Sequence, residues 1–203
     1  VEKSFGIKFG STELIDVSTF GDLCDIIINK VGGNDTSDCT TQQAFYKLRN
    51  AISATLQVDK NSITPDSGLA VLFQRPWRRQ SIAAVEKALG FKIKFLHPKD
   101  WISETFVITH VISIIVLFAV WKIGLAGLLF SIIGQGLANK FGKEMELQTL
   151  GELAKKISRE NYLHARRNPS IINKNEIILK VKELFSKDLF LGDSFLRREA
   201  SFN

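Results

Sequence analysis

At 203 residues the chain has room for one or two small domains beside any membrane segment. Its net charge of +6 suits an anionic membrane surface, and the basic residues are not interleaved with aromatics as nucleic-acid binding requires. Cys24 and Cys39, without a CxxC spacing, point to a reducing compartment, and the opening VEKSFGIKF lacks the basic and apolar regions of a cleavable signal.

In chain order, Val1–Gly6 reads as the end of a helix closed by glycine, followed by a short extended Ile7-Lys8-Phe9. Ser18 or Thr19 caps a helix whose apolar stripe is Phe20, Leu23, Ile26, Ile27 and Val31. A loop at Gly32–Asp35 leads to a second amphipathic helix, Thr40–Gln57, with Phe45, Leu48, Ile52 and Leu56 on one face. Val58–Leu69 carries turn chemistry at Pro65-Asp66-Ser67-Gly68. Pro76 suits the first position of a helix running to Leu89 and stopped by Gly90.

The stretch Thr105–Ala138 holds one full charge, Lys122, at its middle. As one helix it would bury that charge near a bilayer centre, where a charge is costly. As two arms, Thr105–Trp121 and Ile123–Ala138, each spans roughly 25 Å at about 1.5 Å per residue. Trp121-Lys122-Ile123-Gly124 is then the expected turn, with Trp121 at the interface and Lys122 reaching headgroups. Lys92, Lys94 and Lys99 before the segment and Lys140 and Lys143 after it place both ends on the cytoplasmic side. Gly124, Gly127, Gly134 and Gly136 permit close packing of the arms or of neighbouring copies. His110 is expected to hydrogen-bond a helix neighbour. Beyond the hairpin, Leu147–Ile157 opens a further helix, Asn168-Pro169 breaks the chain, and Asn173–Leu189 forms one more helix.

These pieces repeat. VEKSFGIKF at Val1–Phe9 returns as VEKALGFKIKF at Val85–Phe95, and VSTFGDLCDII at Val17–Ile27 returns as LQTLGELAKKI at Leu147–Ile157. Ala44–Ile63 has a looser echo in Glu176–Phe195. The apolar stretch separates the two motifs in the second copy only, so it is an insertion in a repeated domain. Both of its ends should therefore lie on one side of a bilayer. Two arrangements of the flanking pieces follow: Asn173–Leu189 packs on Val1–Val31, or each completes itself with other chain.

A helix, a long loop, a helix ending in Val-Glu-Lys-x-Phe-Gly-Ile and a Thr-Phe-Gly-Asp-Leu helix resemble the acyl carrier protein family, which binds 4′-phosphopantetheine. The resemblance implies an all-α fold: acyl-carrier-like four-helix bundles interrupted by a transmembrane or re-entrant helical hairpin. Residues 1–33 resemble the family's C-terminal half, and 36–99 with 147–161 a whole unit carrying the hairpin 105–138. Residues 172–203 resemble the N-terminal half. The family's prosthetic-group serine would fall within Gln74–Arg78, where this chain has no serine. Ser81, Ser67 and Ser194 are weaker candidates: Ser81 lies inside the helix, and the other two fit turns.

The helix that is acidic in carrier proteins bears Arg75, Arg78 and Arg79 here. With Trp77, these residues are expected to face lipid headgroups or an acidic partner, possessing the wrong sign for a carrier's usual enzymes. Trp121 and Lys122 complete the candidate membrane-binding set. No nucleophile–base pair, phosphate loop or metal-ligand spacing stands out, and Glu160 reads as a surface charge. The expected function is a membrane-anchored, non-catalytic binding or adaptor protein at the cytoplasmic membrane, without a cofactor and with both termini cytoplasmic. Its expected partners are the bilayer, a protein of a membrane complex or an acidic carrier protein, and a second copy of the chain. The alternative is a working acyl carrier, modified with phosphopantetheine at an atypical serine.

Overall fold

The computed structural model describes residues 1–168 and 170–202. The helices, in chain order, are α1 (Glu2–Phe5), α2 (Phe20–Val31), α3 (Thr40–Leu56), α4 (Leu69–Leu72), α5 (Arg78–Leu89), α6 (Asp100–Ala119), α7 (Trp121–Phe141), α8 (Leu150–Glu160), α9 (Tyr162–Ala165) and α10 (Lys174–Leu189). The break expected at Asn168-Pro169 falls partly on Pro169, outside the described residues.

Their buried faces build two cores. The first joins α3, α4, α5 and α8 through Leu48, Ile52, Leu69, Val85, Leu150 and Ile157. The second draws on both ends of the sequence: Phe5, Phe20 and Ile27 from α1 and α2 meet Ile177, Val181 and Leu184 from α10. Tyr162 of α9 is fully buried in this second core, its ring 4.9 Å from that of Phe5.

Local chemistry explains the element boundaries. At the start of α2 the Thr19 hydroxyl accepts the Asp22 N–H, while the Asp22 carboxylate accepts the Thr19 N–H. Thr149 and Glu152 do the same for α8. The Thr19 N–H holds the Asp22 carboxyl below its ordinary range, and the Gln148 and Thr149 N–H groups do the same for Glu152. Gly6 and Gly90 close α1 and α5 in the left-handed conformation, at φ 66° and 80°.

Two helices start later than the sequence pattern indicates. Pro76 lies in the turn before α5, which begins at Arg78. α8 begins at Leu150 because Gln148 and Thr149 run extended beside Gly68, with Leu69 N–H donating to the Gln148 carbonyl at 2.8 Å.

The repeated motifs occupy matching places. Glu2 accepts the Phe9 N–H at 2.7 Å, and Glu86 accepts the Ile93 N–H at 2.6 Å, which is the task of the glutamate in both Val-Glu-Lys motifs. The glycines of TFGDL and TLGEL let a second strand approach. Gly21 N–H donates to the Arg198 carbonyl at 2.9 Å, and Gly151 N–H to the Pro65 carbonyl at 2.7 Å. A Cβ on Gly21 would lie 2.8 Å from that same carbonyl oxygen. The third echo is one residue out of step with the structure. Gln57 and Phe190 are the matching left-handed residues that end α3 and α10, and buried Ile63 is matched by Leu196 rather than by Phe195. Chance identities set the sequence alignment, whereas burial sets the real register.

The two cores are joined by polar contacts. Strands β1 (Asn34–Asp35) and β4 (Ile171–Ile172) pair in parallel. Glu176, on α10, accepts the Thr40 and Thr41 N–H groups at the start of α3, at 2.7 and 3.2 Å. The Ser4 hydroxyl donates to the Arg159 carbonyl, and Lys47 donates to the carbonyls of His164 and Arg166.

The cysteines differ sharply. Cys24 is fully buried in the second core, where burial pushes its thiol up to about 11, whereas Cys39 is exposed. A water-soluble maleimide at neutral pH is expected to modify one thiol per folded chain and two in denaturant. Peptide mass mapping that finds Cys24 modified in the folded protein would contradict this core.

Candidate membrane-anchoring site

α6 and α7 lie antiparallel against each other and project from the first core. At about 1.5 Å per residue their 20 and 21 residues reach about 30 Å, the thickness of a hydrocarbon core. Both are long and apolar enough to cross a membrane, and only 6% and 11% of their apolar windows are buried within the protein. Ile108, Ile112, Ile115, Phe118, Phe130 and Ile133 all stand exposed, far more apolar surface than a water-soluble monomer ordinarily shows.

Several polar side chains of the hairpin find partners within it, while the buried Gln135 Oε1 has none. The hydroxyls of Thr105, Thr109 and Ser113 each donate to the carbonyl four residues earlier, at 2.7 Å, so these groups need no water. His110 Nδ1 meets the Ser131 hydroxyl oxygen across the helix pair at 2.9 Å. The Ser131 oxygen also lies 2.9 Å from the Leu128 carbonyl; with the hydroxyl proton on that carbonyl, Nδ1 is the donor of the cross-arm bond. The partner of His110 is thus on the opposite arm.

The turn falls at Val120, between the helices, and Lys122 is already inside α7. Gly124 therefore serves packing instead of turning: a Cβ on it would overlap the backbone of Leu117. Gly127 and Gly134 likewise admit Ser113 and the Phe106 ring, while Gly136 has nothing within 4 Å. At the tip, Trp121 is 63% exposed with the Lys122 ammonium 5.8 Å from its ring centre. Trp101, in the first turn of α6, is 61% exposed at the other end. The two tryptophans bracket the apolar span as an interfacial belt would. Trp101 escaped the sequence reading, although a tryptophan just ahead of an apolar run was the signal.

At the root, strands β2 (Leu96–His97) and β3 (Glu144–Met145) pair antiparallel, so the hairpin leaves and re-enters the first core at one place. The arginines expected to face headgroups hold this root. Arg78 is only 6% exposed and donates to the carbonyls of Phe73 and Lys143. Arg79 donates to the Gly142 carbonyl at 3.2 Å and stacks on Phe141. Arg75 pairs with Glu144 at 2.6 Å. Carbonyls just past a helix C-terminus lack intrahelical partners, and guanidinium groups satisfy them here. Arg78 is therefore a buried clamp and not a headgroup ligand. Trp77 remains 62% exposed beside it. No local pattern reveals these pairings, since each arginine reaches a residue beyond the whole hairpin.

The serine candidates are not brought together into a site. Ser67 is half-buried and accepts the Thr64 N–H, as a turn residue does. Ser194 is exposed in a 3-10 turn, Asp193–Leu196, and Ser81 is half-buried on α5. The place of the carrier serine, Gln74–Arg78, is the turn that leads into α5. Among the described residues no group of three or more His, Cys, Asp or Glu could hold a metal ion. Glu160 pairs with Lys156 and Arg159, both at 3.0 Å.

No family model, no curated protein and no solved structure matches this chain.

Proposed function

We propose that the protein is a membrane-anchored adaptor: two small bundles of acyl-carrier-like build, held at a cytoplasmic membrane surface by an inserted hairpin and working without a prosthetic arm. The observation that carries this reading is the exposed, all-round apolar surface of α6 and α7, with Thr109, Ser113, His110 and Ser131 hydrogen-bonded within the helix pair. The basic residues that flank the hairpin in sequence, Lys92, Lys94, Lys99, Lys140 and Lys143, are all exposed and favour the cytoplasmic side for the bundles. The partner is the bilayer first, then a protein of a membrane complex that docks on the bundles. An acidic carrier protein fits the chain's positive charge.

The test has two parts. Alkaline carbonate washing should leave the protein in the membrane fraction. Cysteines placed at Ser103 and Asn139, in a chain with Cys39→Ser, should be modified from one and the same face of sealed vesicles. Labelling from opposite faces would sink the hairpin anchor. Intact mass after co-expression with a phosphopantetheinyl transferase should show no added group, and a quantitative gain of one would replace the adaptor by a working carrier.

A further inference from the structure

Where the hairpin meets the first core, a groove of about 510 Å³ opens between the two arms, a size suited to a small-molecule ligand. Its lining is graded. The membrane side is apolar, with Ile102, Phe106, Leu137 and Phe141, the Phe106 ring packed onto Gly134. The side toward the bundle is charged, with Arg75, Lys99, Lys143 and Glu144. Arg75 and Glu144 neutralise each other at 2.6 Å. Lys99 and Lys143 are exposed and make no ion pair among the described residues, so the groove keeps two unmatched positive charges above an apolar floor.

We propose that this groove binds one anionic glycerophospholipid of the surrounding bilayer, its phosphate between Lys99 and Lys143 and the upper part of an acyl chain along Phe106 and Leu137. The inference rests on the membrane reading above. Charge complementarity selects an anionic headgroup over a zwitterionic one. The apolar floor selects a lipid over a free anion, which would leave it uncovered. Trp101, two residues after Lys99 in the first turn of α6, is exposed at the depth where headgroups lie. The bound lipid would fill the wedge between anchor and bundle and fix the angle between them.

Native mass spectrometry of the full chain, released from detergent micelles with equal amounts of phosphatidylglycerol and phosphatidylcholine, tests the site. One phosphatidylglycerol adduct should be retained about tenfold more than phosphatidylcholine. Lys99→Glu with Lys143→Glu should abolish that preference, and Ala138→Trp, which fills the groove without changing charge, should abolish the adduct. Lys92→Glu with Lys94→Glu, elsewhere on the basic collar, should change neither. Circular dichroism identifies any variant that fails to fold. Equal retention of the two lipids overturns the site while leaving the anchor intact, as does an adduct that survives Ala138→Trp or is displaced by inorganic phosphate alone. Release of the unaltered protein by carbonate overturns both.

Discussion

Glu176→Ala is expected to lower the free energy of unfolding by about 3 kcal/mol and to loosen one bundle from the other. The carboxylate is only 9% exposed, and its two oxygens accept the Thr40 and Thr41 N–H groups at the N-terminus of α3. Both donors lie in the first turn, where they have no intrahelical acceptor. Removing the acceptor strands them, at about 1–3 kcal/mol for a buried group, and also removes a negative charge from the positive end of the helix dipole. Glu176→Gln keeps one acceptor oxygen and should lose roughly half as much. Urea unfolding in mild detergent measures the difference. If alanine costs less than about 1 kcal/mol, the carboxylate is no structural link and the two cores are more independent than described.

Gly124→Leu should separate the arms of the hairpin. Even a methyl group there overlaps the backbone of Leu117, which no side-chain rotation can relieve. Overpacking of this kind costs about 1–3 kcal/mol or more. A helix pair in lipid cannot call on hydrophobic burial to offset it, because lipid tails are as apolar as leucine. The His110–Ser131 hydrogen bond would be pulled apart in the same movement. Gly136→Leu is the matched control, since that position faces open space. Titration with sodium dodecyl sulfate should therefore unfold the Gly124 variant well before the Gly136 variant. Equal midpoints would mean that the arms do not pack on this face.

The long helices, the cap of α2 and the existence of the hairpin were legible in the sequence, because each depends on neighbours a few residues away. Thr19 announces its helix as a cap, and Lys122 divides the apolar run near the true turn; Thr149 carries the same signal with Glu152, yet the sequence pattern opens that helix at Leu147. The turn itself moved to Val120 because Gly124 is consumed by contact with Leu117, which a local reading cannot anticipate. Arg78 was visible as a charge but not as a buried clamp, since its acceptor at Lys143 lies beyond the hairpin. The extended pieces that pair with the two capping-box threonines carry no alternation of their own. Their backbone pairings exist only once the bundle has brought them alongside. The lipid groove was likewise out of reach, because its walls come from both sides of the insertion.

The second core sets an order of events during synthesis. α2 emerges from the ribosome early, yet the residues that cover Phe20 and Ile27 belong to α10, made only after the whole anchor has been translated. Closing so long a loop is entropically slow, so the first bundle and the anchor have time to form while α2 waits with its apolar stripe uncovered. A nascent chain that has emerged from the ribosome past Glu160 but not past Lys174 would display that stripe to chaperones, and would be proteolysed at Phe20–Val31 while Thr40–Leu56 was already protected.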